Sequence, residues 1–240
     1  MGKGFNTFRI TFLMERLSPP STGLTGSFNA AYLSGLTTIV NYITGKGGFA
    51  LVDPHNFMSY NGAVISNTAQ FQTWWQNLAA VFKSNSNVIF DVMNEPNGIA
   101  ATTVATLNQA AINGIRASGA TTQLILAEGT AWTGAWSWSS SGNAAAFTSL
   151  KDPNNNLAIG MSSLPNLDSR VTYELTEMHQ YLDSDSSGTS ATCVSSTIGA
   201  ERLANATTWL KQNNLKGFLG EMGAGSNRKS TLQCEHVIQT

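Results

Sequence analysis

Six short apolar runs recur along the 240-residue chain, with helix-like or turn-rich stretches between them. The runs are Thr7–Leu13, Phe49–Asp53, Val88–Val92, Leu124–Ala127, Glu177–Tyr181 and Gly217–Gly220. Helical spacing marks Ser27–Thr44, Thr68–Lys83, Ala101–Ser118 and Ile198–Gln212. Within Thr68–Lys83, Phe71, Trp74, Trp75, Leu78 and Phe82 recur with a helical period, while Gln72, Gln76 and Lys83 are polar. Strands separated by helices pair in parallel, through right-handed crossovers. No GxGxxG follows any run, and no GxxxxGK phosphate loop occurs. The pattern therefore favours a (β/α) barrel over a doubly wound sheet. No linker-like segment interrupts it, so residues 1–240 are expected to form a single domain.

In parallel α/β folds the chemistry sits at the C-terminal ends of the strands. Here those ends carry reactive groups. Asn94 and Glu95 follow Val88–Val92, and Glu221 follows Gly217–Gly220. His55 follows Leu51-Val-Asp-Pro54, and His179 and Tyr181 lie in the fifth run. Arg9 lies inside the first, where an unpaired charge would be costly, so it should meet a carboxylate. A lone Glu or His at a strand end is more often structural than chemical. Five strands ending this way together are not readily explained so. Two glutamates on separate strands are what glycosidic hydrolysis requires: one protonates the leaving oxygen, the other attacks or stabilises the sugar cation.

Composition narrows the partners. Formal charge is −1, with no basic stripe, which disfavours nucleic acid and anionic membranes. No apolar run is long enough to span a bilayer, and no apolar segment of a signal peptide follows Met1-Gly-Lys-Gly-Phe5. The three histidines show no metal-binding spacing, so no metal site is expected. Trp74 and Trp75 read as core, whereas Trp132, Trp136 and Trp138 fall in a loop, where stacking on a sugar ring is as good a reading as packing. The two cysteines, Cys193 and Cys234, allow one disulfide, and Asn205-Ala-Thr207 is a glycosylation sequon if the chain is secreted.

Longer motifs carry a resemblance. NTFRITFLMER, VNYITGKG, VDPHNF, VIFDVMNEPNG, LNQAAINGIR, EMHQYLDSDSSGTS and GFLGE together resemble the fungal family 5 glycoside hydrolases, specifically their endo-β-1,4-glucanases. The resemblance implies a (β/α)8 TIM barrel that cleaves β-1,4-glucan with retention, outside the cell, as a monomer and without a cofactor. It implies that Glu95 is the acid/base and Glu221 the nucleophile. Asn94 would contact the sugar 2-OH, and Arg9, His55, His179 and Tyr181 would form the supporting shell, with Trp136 a substrate contact. Tyr181 and Arg9 would orient Glu221 and keep it ionised. Related activities on mannan or mixed-linkage glucan occur on the same fold.

Against that family the chain departs in three places. It is expected to begin at the family's second strand and to stop before the eighth, leaving an incomplete barrel of about six strand–helix units. Residues 160–176 interrupt what should be one strand and read as a retained intron: Gly-Met-Ser can be encoded around GTATGT, and Glu-Leu-Thr around CTAAC. Arg170–Leu175 nevertheless has strand character. The tail 228–240 diverges. An inactive glucan-binding remnant is the alternative reading these departures raise.

Overall fold

The computed structural model describes residues 4–154 and 175–225. In chain order the elements are β1 (Thr7–Phe12), α1 (Met14–Leu17), α2 (Ala30–Gly45), β2 (Phe49–Pro54), β3 (Ser59–Tyr60), β4 (Ala63–Val64), α3 (Thr68–Phe82), β5 (Val88–Asp91), α4 (Ala101–Ala117), β6 (Leu124–Glu128), α5 (Asn143–Phe147), β7 (Leu175–Tyr181), α6 (Ile198–Gln212) and β8 (Lys216–Gly223). All six expected strands and all four expected helices are present, with ends shifted by a few residues. The additions are the small β3–β4 hairpin and the short helices α1 and α5, which carry too few residues to show a period.

The main sheet runs β1-β2-β5-β6-β7-β8, and every pairing in it is parallel. Strand order follows chain order and never reverses, so the sheet winds in one direction like part of a barrel and has no switch point. Among the described residues β1 and β8 are its edges.

Two faces of this sheet differ in chemistry. Ala50, Val52, Val88, Phe90, Ile125 and Ala127 pack outward against the helices in the main core. The alternate residues Leu51, Ile89 and Leu126 form a separate buried cluster on the concave face. Two residues further along each of these strands, on that same face, come Asp53, Asp91 and Glu128, all fully buried. An apolar floor thus gives way within one side-chain step to a layer of acids.

Helix starts and packing follow local chemistry. Asn29 Oδ1 accepts from Tyr32 N at 3.0 Å to cap α2, and Asn67 Oδ1 accepts from Gln70 N at 3.0 Å to cap α3. The helical face of α3 is wholly core: Trp74 lies 5.1 Å from Trp75, and Trp75 lies 5.9 Å from Phe90, both edge-to-face. Gly114 of α4 lies so close to the Gln72 backbone that a Cβ would overlap it, which is what lets α3 and α4 pack together.

The insertion expected at 160–176 overlaps β7 at its end. Leu175 pairs with Lys216, and Thr176 with both Ala127 and Gly217, so these two residues are part of the strand. Residues 160–174 and the divergent tail 228–240 lie outside the described residues. Cys193 is buried and disulfide-bonded, and Cys234 lies outside the described residues.

Candidate active site

At the C-terminal mouth of the sheet, Arg9 is the hub. Its NH1 donates to Glu221 Oε2 at 2.8 Å, and its NH2 donates to Asn94 Oδ1 at 2.7 Å. The same NH2 lies 3.2 Å from Asp53, 3.2 Å from Asp91 and 3.3 Å from Glu128, with Glu177 3.9 Å from Nε. The expectation that Arg9 meets a carboxylate is met five times over. Burial works against the guanidinium's charge, but Asp91, Asp53, Glu177 and Glu128 outweigh it and raise its pKa further.

One cation cannot neutralise so many acids in a dry layer. Burial, then the neighbouring acids, hold Asp91 and Glu128 well above the usual carboxylate range. Burial raises Asp53 as well, although His55 and Arg9 oppose it.

Glu221 behaves differently. Burial alone would raise its pKa, yet the hydrogen bond from Tyr181, the charge of His179 and Arg9 bring it below the ordinary value. Tyr181 Oη donates to Glu221 Oε1, and its own pKa is raised by burial and by that bond. The Tyr181 ring fits only because Gly188 and Gly223 flank it, each at a point where a Cβ would overlap the ring. Glu221 reaches the site through a register shift: Met178 pairs with Leu219 but His179 pairs with Glu221, so Gly220 is the extra residue of a bulge.

His179 joins the two glutamates. Its Nδ1 lies 2.7 Å from Glu95 Oε1 and 3.8 Å from Glu221 Oε2, while Nε2 lies 3.5 Å from Glu177. Burial would favour the neutral ring, but hydrogen bonds to Glu177 and Glu95 raise its pKa to about 9. One carboxylate oxygen each from Glu95 and Glu221, with a nitrogen of His179, all lie within 4.8 Å of one another. Glu128, Glu177 and His179 form a second such group. Either could geometrically hold a cation; in this structure the His179 ring joins the acids on its two sides, Glu95 at Nδ1 and Glu177 at Nε2.

The remaining expected residues sit near this core. His55 Nδ1 lies 3.1 Å from Asp53 Oδ2, and its ring meets Phe57 edge-on at 5.6 Å. Trp136 and Trp132 are 52% and 55% exposed, with the Trp136 main chain donating to Gln180 Oε1 at 3.0 Å. Trp138 corrects the sugar-stacking expectation: it is fully buried, 5.2 Å from Phe147 and 5.5 Å from Trp209, and it pins the loop onto α6. The sequence reading missed Asp53, Asp91, Glu128 and Glu177. The signal for the first three was an acid two residues beyond an inward apolar residue in three successive strands of the sheet.

The chain has known relatives. A family model described as cellulase, glycosyl hydrolase family 5, matches residues 1–239. The chain belongs to glycoside hydrolase family 5. Endo-β-1,4-glucanase B of Emericella nidulans is 52% identical over 227 residues, covering 95% of this chain and 62% of the relative. The family 5 chain thus spans less than two thirds of that relative's length. Cel5A (EG2) from Hypocrea jecorina superposes with a TM-score of 0.84 at 31% identity, over 98% of this chain and 68% of that one. XacCel5A, solved in complex with cellopentaose, superposes with a TM-score of 0.87 at 38% identity, over 99% of this chain and 72% of that one. Both neighbours are family 5 barrels, so the six-stranded parallel sheet is part of a TIM barrel.

Proposed function

We propose that this chain hydrolyses internal β-1,4-glucosidic bonds of cellulose or a related β-glucan by a retaining double displacement. Glu221 attacks the anomeric carbon while Glu95 donates its proton to the departing glycosidic oxygen. Glu95, now a carboxylate, takes a proton from water, which displaces Glu221 from the sugar. The observation that carries the reading is the spacing: oxygens of the two glutamates lie within 4.8 Å of each other. Retaining enzymes hold their carboxyls about 5–5.5 Å apart, whereas inverting ones need roughly 6.5–9.5 Å to admit a water.

The surroundings divide the labour. Tyr181 and Arg9 keep Glu221 ionised for attack. Asn94 Oδ1 accepts from Arg9, and its buried Nδ2 has no hydrogen-bond partner among the described residues, a donor left for the sugar 2-OH. The exposed faces of Trp132 and Trp136 suit stacking on further sugar units. The endoglucanase names of the relatives and the cellopentaose bound by XacCel5A support glucan over mannan. A disulfide at Cys193 supports work in an oxidising, extracellular setting. We take the chain to act as one catalytic domain and as a monomer. No helix among the described residues is long and apolar enough to cross a membrane.

Reducing-sugar release from carboxymethyl cellulose tests this, with Glu221→Gln and Glu95→Gln as controls. Release lost in both variants, with the β-anomer formed first by NMR, is the expected result. A folded chain that binds cello-oligosaccharide and never cleaves it overturns the enzyme reading in favour of a glucan-binding remnant.

A further inference from the structure

The acid/base glutamate occupies an unusual piece of backbone. Glu95 has φ 46°, in the left-handed region, although it is not a glycine. It also precedes Pro96, and a residue before proline is sterically driven toward extended backbone. A conformation disfavoured twice persists only where its surroundings hold it. The hydrogen bond that the structure gives the Glu95 N–H is to Glu128 Oε2, at 2.7 Å.

We propose that Glu128, at the end of β6, is a positioning residue that fixes the acid/base glutamate through its main chain and couples it to the nucleophile. The second oxygen of the same carboxyl, Oε1, lies 3.3 Å from Arg9 NH2. That NH2 also holds Asn94 Oδ1 at 2.7 Å, and the NH1 of the same guanidinium holds Glu221 Oε2 at 2.8 Å. One carboxyl therefore grips the backbone of one reacting glutamate and the arginine that grips the other. Glu128 is itself well anchored: it is fully buried, and Asn108 Nδ2 on α4 donates to its main-chain oxygen at 3.0 Å. The lock predicts a specific defect. Without the acceptor, Glu95 relaxes toward extended backbone and its carboxyl leaves the glycosidic oxygen, while Glu221, still held by Tyr181 and Arg9, can attack.

The inference rests on the assignment of Glu95 and Glu221 above. The test compares two cellobiosides, one with a phenyl leaving group that needs protonation and one with a 2,4-dinitrophenyl group that does not. With general acid assistance worth roughly 10²–10⁴-fold, Glu128→Met should lower kcat/KM on the phenyl substrate by about 100-fold and on the dinitrophenyl substrate by less than about five-fold. Glu128→Gln keeps an acceptor for the Glu95 N–H and should recover about ten-fold or more of the phenyl loss. Equal losses on both substrates, or no loss on either, overturn the proposal. Should Glu128→Met not fold, Glu128→Ala replaces it; if neither folds while Glu128→Gln does, the role is structural and the proposal is overturned. If wild type cleaves neither substrate, or if Glu95→Gln and Glu221→Gln cleave as wild type does, the glycosidase assignment itself has failed, a pattern distinct from an effect confined to Glu128.

Discussion

His179 Nδ1 lies 2.7 Å from Glu95 Oε1, in a side chain only 2% exposed. Burial opposes a charge there, but the bonds to Glu177 and Glu95 prevail and raise the pKa from 6.5 to about 9. A pKa raised by folding contributes stability that is complete below the unfolded value and is lost as pH climbs through the folded one. Stability should therefore fall between about pH 6.5 and 9, by on the order of 3 kcal/mol at full titration. The raised carboxyls Asp91 and Glu128 act in the same direction, so the readout is a difference. Urea midpoints measured from pH 6 to pH 10 should converge for wild type and His179→Gln as pH rises. Parallel curves would rule the account out.

Arg9 faces Asp53, Asp91, Glu128, Glu177 and Glu221 from a single guanidinium. Removing one partner of a buried ion pair typically costs about 3–5 kcal/mol, because the other charges stay behind. Arg9→Met should lose about that much stability near neutral pH, and less near pH 5, where the acids can take up protons. Arg9→Lys keeps the charge but not the fork that reaches Asn94 and Glu221 together. It should fold better than Arg9→Met and still lose most activity. Chemical denaturation at the two pH values, with activity on soluble glucan, checks both parts.

Strand and helix positions could be read from the sequence because apolar periodicity is set locally. Asn94, Glu95, His179, Tyr181 and Glu221 could be read because each falls at or near a strand's C-terminal end, and Arg9 because a charge inside an apolar run calls for a carboxylate. Asp91 was hidden, since one acid inside Val88–Val92 resembles a flaw in an apolar run until Arg9 is brought beside it from 82 residues away. Trp132, Trp136 and Trp138 look alike in one loop. Only the packing of Phe147 and Trp209 around the third makes it core. The bulge at Gly220 was equally invisible, because a register shift belongs to a pair of strands and not to either alone.

Tyr181 donates its hydroxyl to Glu221, and that bond is the largest influence lowering the pKa of a carboxyl which burial would raise. Tyr181→Phe keeps the ring between Gly188 and Gly223, so stability should hardly change. The Glu221 carboxyl then protonates at higher pH, and the acid limb of kcat/KM shifts upward with it. Loss of one donor to the proposed nucleophile should also slow turnover by about ten-fold or more. A pH–rate profile on soluble glucan reads both effects, and an unmoved acid limb would assign Tyr181 to packing alone.

Gly220 matters for what a side chain there would strike. A Cβ at this position would overlap the Glu177 carboxyl, which lies across β8 at the bulge. Glu177 is fully buried beside Arg9 and His179 and has little room to swing away. Gly220→Ala should therefore destabilise the fold by about 1–3 kcal/mol, the usual range for overpacking. It should also disturb the register that delivers Glu221, and so lower activity beyond the stability loss. Glu177→Ala alone removes a partner of His179 and lowers the ring's pKa. Combined with Gly220→Ala it also removes the obstruction, so the two destabilisations should be less than additive, by about 0.5–3 kcal/mol. A double-mutant cycle from urea denaturation measures this coupling directly. Strict additivity would mean that the glycine serves the backbone of the bulge and not the space above it.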